Sequence, residues 1–90
     1  MTDPTKKPTQ FTLLAPHAHH VVLAGNFNDW NTSSHPLIKD DEGIWQIELY
    51  LEAGEYEYKF VVDEEWKIDP ECTIFVATAE GLTNCIKVVE

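Results

Sequence analysis

The sequence predicts an all-β fold in which two antiparallel sheets pack face to face. Apolar residues recur at every second position far more clearly than at every third or fourth, which is the period of a half-buried strand. These strands follow one another at intervals of roughly 8 to 12 residues and are separated by Gly, Pro, Asn and Asp. Together these features predict an immunoglobulin-like antiparallel β-sandwich, and 90 residues suffice for one such domain.

The first two strands end at residues that interrupt a sheet. Apolar residues alternate over 11–14 until Pro16, and a continuous apolar run over 21–24 ends at Gly25. Residues 1–8 carry two prolines and two lysines with almost nothing to bury. We therefore expect a disordered leader over 1–8 and a single domain over 9–90.

The third and fourth strands have the clearest alternation in the chain. Over 45–51, Trp, Ile and Leu alternate with Gln, Glu and Tyr, and after the turn at 52–54 the pattern resumes over 56–62. Each of these strands has one face for a core and one for water. Shorter strands are predicted over 66–68, 73–77 and 84–89.

The charge of the chain excludes several classes of partner. Sixteen acidic and six basic residues give a net charge of −10, and all six basic residues are lysines. Like-charge repulsion opposes nucleic acids and anionic membranes, whereas a neutral ligand such as a sugar meets no such barrier. The sequence has no apolar window of about 20 residues and its first ten residues are polar, so we expect a cytoplasmic protein without signal peptide.

The cysteines and histidines give weak indications of chemistry. Cys72 and Cys85 could close one loop, but a single pair without an export signal favours free thiols. His17, His19 and His20 could bind a transition metal, although a solvated loop beside a proline is the preferred interpretation. We therefore expect no metal site and no cofactor.

The acidic residues do not indicate an enzymatic function. A catalytic carboxylate needs an environment that shifts its pKa, whereas six of the sixteen lie in predicted hairpin turns facing water: Asp40, Asp41, Glu42, Asp63, Glu64 and Glu65. Ser33 and Ser34 lie next to His35 only in sequence, with no nucleophile elbow around them. We assign no catalytic residue. A glucan-cleaving enzyme remains an alternative that an assay for glucose release from glycogen would test.

The three tryptophans fall into two groups. Trp45 lies on the apolar face of the third strand and is assigned to the core. Trp30 follows a strand within a polar turn, and Trp66 lies between an acidic turn and a lysine, so both lack periodic apolar partners. Exposed indoles can stack on the apolar face of a pyranose ring, and together they suggest a sugar-binding platform.

These residues also carry a family resemblance that spans residues 9–90. The motifs are Asn-Phe-Asn-Asp-Trp at 26–30, Gly-Glu-Tyr-Glu-Tyr-Lys-Phe-Val-Val-Asp at 54–63, Trp-Lys-Ile-Asp-Pro at 66–70, and Thr-Asn at 83–84 before Ile-Lys-Val. With these motifs the sequence resembles the glycogen-binding carbohydrate module of AMP-activated protein kinase beta subunits. That module, known as carbohydrate-binding family 48, is also found ahead of the catalytic domains of branching and debranching enzymes.

The resemblance implies an early-set immunoglobulin-like sandwich that binds alpha-1,4-linked glucans such as glycogen, starch or maltooligosaccharides. The stacking residues of the family match Trp30 and Trp66, and its hydrogen-bonding lysine matches Lys59. The alternation places Lys59 off the apolar face, with an ion pair to Glu55 or Glu57 as the alternative.

The last loop departs from the kinase pattern Leu-Gly-Thr-x-Asn-Asn. An ungapped match places Ala79 at the leucine, Gly81 at the threonine, and Thr83 and Asn84 at the two asparagines. Thr83 can still donate and accept a hydrogen bond, and both Thr83 and Asn84 are assigned to the sugar site.

Two functions follow from the sequence. The first is non-catalytic glucan binding. The second is a protein-interaction or scaffold module of the same fold with weak or lost sugar binding, attached to a kinase or glucan-active enzyme. The altered loop and the negative charge favour the second, and a catalytic domain or subunit is then the expected partner.

Overall fold

A computed structural model describes residues 4–90 and contains eight strands and no helix within that range. The strands form two antiparallel sheets, and the predicted all-β sandwich is confirmed. The strands are β1 (Lys6–Leu14), β2 (Val21–Gly25), β3 (Ile38–Lys39), β4 (Ile44–Glu52), β5 (Gly54–Val62), β6 (Glu65–Lys67), β7 (Phe75–Ala77) and β8 (Thr83–Val89).

The first sheet has the order β1-β4-β3. Phe11 lies opposite Ile47 and Leu13 opposite Trp45, so the apolar sides of both strands face the second sheet. β1 begins at Lys6, which pairs with Glu52, and the sheet therefore starts before the predicted domain start at residue 9. Residues 4 and 5 of the predicted leader form a turn before β1, and residues 1–3 lie outside the described residues.

The second sheet has the order β2-β5-β8-β7, with β5 at its centre. β2 pairs along one side of β5, while β6 and β8 share the other side: β6 pairs with residues 60–62 and β8 with residues 54–58. This arrangement brings the short β6 in line with the end of β8. Side chains from three separate chain segments therefore meet on one sheet face.

The core lies between the sheets. Phe11, Leu23 and Phe60 are almost completely inaccessible to solvent. Trp45 is 7% exposed and its indole N–H donates to the carbonyl oxygen of Ala15 at 2.8 Å, so its assignment to the core is confirmed.

The prediction of free thiols is wrong, because Cys72 and Cys85 form a disulfide with their Cα atoms 6.1 Å apart. Cys85 points inward from β8 and is buried, while Cys72 is partly buried against the core at the end of a turn that starts at Asp69. The sequence argument considered the cellular compartment, whereas proximity in the fold decided the pairing.

Candidate functional site

The candidate site is built on the outer face of the second sheet. Tyr58 and Phe60 point into the core, so Glu57 and Lys59, which alternate with them along β5, point to the opposite face. The register of β5 with β8 ends at Tyr58 and Cys85, and its continuation places Asn84 beside Lys59. A polar strip therefore crosses the middle of this face.

Trp66 reaches the same face through a two-residue hairpin turn. Asp63 and Glu64 form this turn with positive φ angles of 47° and 73°, the combination typical of a type I′ turn. The Asp63 carboxylate accepts hydrogen bonds from the backbone N–H groups of His19 and His20, both at 2.9 Å. Trp66 then pairs with Val61, two residues from Lys59, and its side chain is 49% exposed.

Trp30 is positioned by the turn that follows β2. Its own φ is 58° and that of Asp29 is 55°, a conformation that is uncommon for non-glycine residues and that needs support from neighbouring contacts at a bulky tryptophan. The Asn28 side chain supplies such contacts: its Oδ1 accepts from the Gly25 N–H at 3.0 Å and its Nδ2 donates to the Leu23 carbonyl at 3.3 Å. The Trp30 N–H donates to the Gly25 carbonyl at 2.8 Å.

Two further residues attach this turn to the domain. The Asn26 N–H donates to the Glu57 carbonyl at 3.0 Å, and the Asn26 side-chain oxygen accepts from the Glu57 N–H at 3.2 Å. The Phe27 ring packs against Phe11 and Tyr56 at centroid distances of 6.0 and 6.3 Å. The Asn-Phe-Asn-Asp-Trp motif thus encodes a rigid turn that presents its tryptophan.

The two indoles meet at the outer face. The ring centroids of Trp30 and Trp66 are 6.3 Å apart and the ring planes are tilted by 55°. Trp66 is half exposed and Trp30 is partly exposed. Both border an open cavity of about 440 Å³ that Lys59 also lines, so the structure brings these three predicted residues together.

A second loop closes the cavity on the other side. Thr78, Glu80 and Leu82 lie between β7 and β8 and line the cavity. The Thr78 N–H donates to the Leu82 carbonyl at 2.8 Å, and the Thr78 hydroxyl accepts from the Leu82 N–H at 3.1 Å. Sequence reasoning examined this loop but did not assign these three residues to the site, because the ungapped match placed the small Ala79 at the leucine position. A shift of three positions would have placed Leu82 there.

The two residues predicted at the end of this loop have different positions. Asn84 lines the cavity, is 7% exposed, and donates from Nδ2 to the Glu57 carboxylate at 3.0 Å. Thr83 does not line this cavity, because adjacent side chains of a strand point to opposite faces. Glu57 was not assigned to the site from the sequence, although its alternation with Tyr58 places it beside Lys59.

The ammonium group of Lys59 is available to a ligand. Within residues 4–90 the ion pairs are His19–Asp63 and Lys67–Glu65, and Lys59 takes part in neither. The alternative pairing of Lys59 with Glu55 or Glu57 is not found there.

The histidines form no ligand set in the described part of the chain. His17 and His20 are exposed, and the His19 ring lies 3.9 Å from the Asp63 carboxylate. No group of three metal-ligating side chains is present among residues 4–90. His35 and Ser34 contact each other at 2.7 Å and both contact Asn28, so they belong to the support of the Trp30 turn.

Comparison with known proteins identifies the family. The sequence profile described as the glycogen recognition site of AMP-activated protein kinase matches residues 7–90. The chain belongs to this family. The family is a carbohydrate-binding module, a non-catalytic type of domain, and the resemblance found in the sequence is confirmed. Family membership supports glucan binding in general.

The similar proteins are much longer than this chain. Protein PTST homolog 2, chloroplastic, of Arabidopsis thaliana is 36% identical over 72 residues, which are 80% of this chain and 13% of that protein. The 1,4-alpha-glucan branching enzyme GlgB of Bacillus caldolyticus is 44% identical over 59 residues, with 62% and 9% covered. The 5'-AMP-activated protein kinase subunit beta-2 of Homo sapiens is 38% identical over 68 residues, with 76% and 24% covered. The chain thus spans about a quarter or less of these relatives.

The described residues contain no helix that is long and apolar enough to cross a membrane.

Proposed function

We propose that this chain binds alpha-1,4-linked glucans, such as glycogen, starch or maltooligosaccharides, in the cavity between Trp30 and Trp66. The observation that carries the proposal is the pair of tilted, accessible indoles beside Lys59 in one open cavity. Two neighbouring indoles that remain accessible to solvent indicate a ligand site, and a sugar ring can stack on them. The net charge of −10 does not oppose a neutral ligand.

The tilt of the indoles favours a curved sugar chain. Alpha-1,4 linkages turn successive glucose rings relative to one another, whereas beta-1,4 linkages produce a flat ribbon. Two planes inclined by 55° match rings that turn and do not match coplanar rings. Each stacked ring buries about 100 Å² of apolar surface, a gain of about 2.5 kcal/mol before ordering costs.

Polar groups around the indoles satisfy the sugar hydroxyls. Lys59 donates hydrogen bonds, and the Glu57 carboxylate, oriented by Asn84, accepts them. Leu82 supplies the apolar contact that the family pattern assigns to a leucine earlier in the loop, and Thr78 takes the hydroxyl role that the sequence assigned to Thr83. We expect a Kd on the order of 10 μM to 1 mM for a short maltooligosaccharide.

Titration with maltoheptaose, followed by intrinsic tryptophan fluorescence and by calorimetry, tests the proposal. Trp66→Ala should weaken binding roughly 50-fold, the equivalent of one stacked ring. Tyr50→Ala is the matched control, because Tyr50 is equally exposed but lies on the outer face of the other sheet. Cellohexaose should bind far more weakly than maltoheptaose.

Equal loss of affinity in both variants, or no response to millimolar maltoheptaose, would remove the glucan proposal. A second role would then lead, namely contact with a catalytic domain or subunit. This role is favoured by apolar side chains on the outer face of the first sheet, opposite the cavity: Leu14 is 68%, Ile38 76% and Tyr50 50% exposed. Cytoplasmic localisation stays a prediction.

A further inference from the structure

The disulfide encloses the loop that forms one wall of the proposed sugar site. The chain between Cys72 and Cys85 contains β7 and the residues that line the cavity from this side, Thr78, Glu80 and Leu82. The bond therefore joins the start of this loop directly to β8, beside Asn84.

Few other interactions attach the enclosed loop to the domain. Its large apolar residues remain exposed: Ile74 is 49%, Phe75 54% and Leu82 56% accessible to solvent. β7 has three residues, and among residues 4–90 its one strand partner is β8. A segment with little buried surface and one short strand at a sheet edge opens easily, so a covalent anchor at its first residue limits how far it moves.

We propose that Cys72–Cys85 is a thiol–disulfide modification site that sets the affinity of the module for glucans. The inference rests on the function proposed above. In the oxidised state the closed loop holds Leu82 and Thr78 against the cavity. In the reduced state the loop is released at Cys72, and the ligand must order it on binding, which weakens the affinity.

The reaction is an exchange with a dithiol reductant. A thiolate of the dithiol attacks Cys72 Sγ, the Cys72–Cys85 bond breaks, and Cys85 leaves as a thiolate that takes up a proton. The second thiol of the reductant then attacks the mixed disulfide and releases Cys72. Two electrons and two protons pass to the protein, and the reductant is oxidised to its disulfide.

The surroundings of the two sulfur atoms fit this exchange. Cys72 lines a surface cavity of about 300 Å³ that Cys85 does not border, so an external thiol reaches Cys72 first. Cys85 Sγ lies 3.7 Å from the carbonyl oxygen of Asp69. A disulfide sulfur has no proton, whereas the reduced Cys85 thiol can donate one to this oxygen, so the buried thiol has an acceptor.

Thermodynamic linkage makes the effect reciprocal. If oxidation increases glucan affinity about tenfold, a saturating glucan stabilises the oxidised form by the same factor. For a two-electron couple this tenfold factor lowers the reduction potential of Cys72–Cys85 by about 30 mV. Ligand protection against reduction is therefore a second, independent readout.

The experiment compares the air-oxidised protein with the dithiothreitol-reduced protein, after thiol counting by mass spectrometry in both states. Reduction should weaken maltoheptaose binding about tenfold, within the usual range of coupling between sites. Cys72→Ser should bind like the reduced protein and ignore dithiothreitol. Amide exchange should accelerate at Thr78 and Leu82 and remain slow at Phe60, which separates release of the loop from unfolding.

Each outcome decides between the two proposals. No binding in either state would remove the proposed function. Equal affinities with two thiols counted after reduction, two free thiols in the air-oxidised protein, or faster exchange at Phe60 as well as in the loop would overturn the redox inference alone. Protection by maltoheptaose but not by cellohexaose supports it.

Discussion

The two walls of the cavity are held in place by different means. The turn that presents Trp30 is fixed by the hydrogen bonds of Asn26 and Asn28 and by the Phe27 ring packed against the core. The loop that presents Leu82 has exposed apolar side chains, one short strand and a disulfide. The first wall is rigid in itself, whereas the second depends on a long-range covalent link.

The way each wall is held in place explains why one wall, and not the other, can be predicted from the sequence. A turn held by its own side chains needs particular residues at particular positions, and its motif is recognisable. A loop held by a disulfide needs only the two cysteines in register, so its other residues can change. The motif at 26–30 therefore located Trp30, whereas the ungapped match of the last loop did not locate Leu82.

The largest effect on stability is expected from reducing the disulfide that holds the Leu82 wall of the cavity. Reduction of Cys72–Cys85 should lower the free energy of unfolding by about 3 kcal/mol, since it releases a loop of this size in the unfolded chain, and lower the Tm by roughly 15 °C. Differential scanning calorimetry with and without dithiothreitol measures this. Cys72→Ser should have the Tm of the reduced wild type, with or without dithiothreitol. An unchanged Tm on reduction of the wild type would contradict the stabilising role of the disulfide.

In the turn that presents Trp30, substitution of Asn28 should destabilise the domain most. Asn28→Ala leaves the buried Gly25 N–H without its side-chain acceptor and should cost about 2 kcal/mol in urea unfolding. It should also weaken maltoheptaose binding, although Asn28 does not line the cavity. Asn31→Ala, an exposed asparagine in the same turn with a local bond to Ser33, is the control and should change both quantities little. Equal effects of the two substitutions would refute the rigid-turn interpretation.

Beneath both walls, Tyr58 links the core to the Asp69 turn that leads into Cys72. Its hydroxyl donates to the Asp69 carboxylate at 2.7 Å, and Tyr58→Phe should cost about 1.5 kcal/mol. Burial, followed by the hydrogen bond and charge of Asp69, raises the pKa of Tyr58 far above its ordinary value of 10.0.

The stabilisation by Tyr58 should therefore disappear in alkali. The unfolded tyrosine ionises near pH 10 while the folded one stays neutral, so the contribution is complete below pH 10 and falls as the pH rises further. At pH 11 the advantage of the wild type over Tyr58→Phe should shrink by about 1.4 kcal/mol. Urea unfolding of both proteins at pH 8 and pH 11 measures this difference. The same advantage at both values would rule out the protected hydroxyl.

The smallest effect is expected from salt. The proposed ligand is neutral, so raising NaCl from 50 to 500 mM should change the maltoheptaose Kd less than about twofold. Calorimetric titration at the two salt concentrations tests this, with the Lys59→Gln variant as a control that should be weaker but equally insensitive. A steep salt dependence would indicate an anionic ligand.

Sequence reasoning located the long strands well and the short ones less well. β4 and β5 show the clearest alternation, and their predicted bounds differ by one or two residues from the observed ones. β3 has only two residues and escapes any periodicity. β1 extends back to Lys6 because pairing with β4 orders polar residues that bury little on their own.

The sequence by itself determined the sandwich, the family, and the outward direction of Trp30, Trp66 and Lys59, because alternation and turn chemistry are local properties. Only the tertiary structure decided that β6 lies in line with β8, that Leu82 reaches the cavity in place of Thr83, and that Cys72 meets Cys85. These features depend on how distant segments pair across the sheet, and strand pairing between distant residues is not encoded in any short stretch of chain.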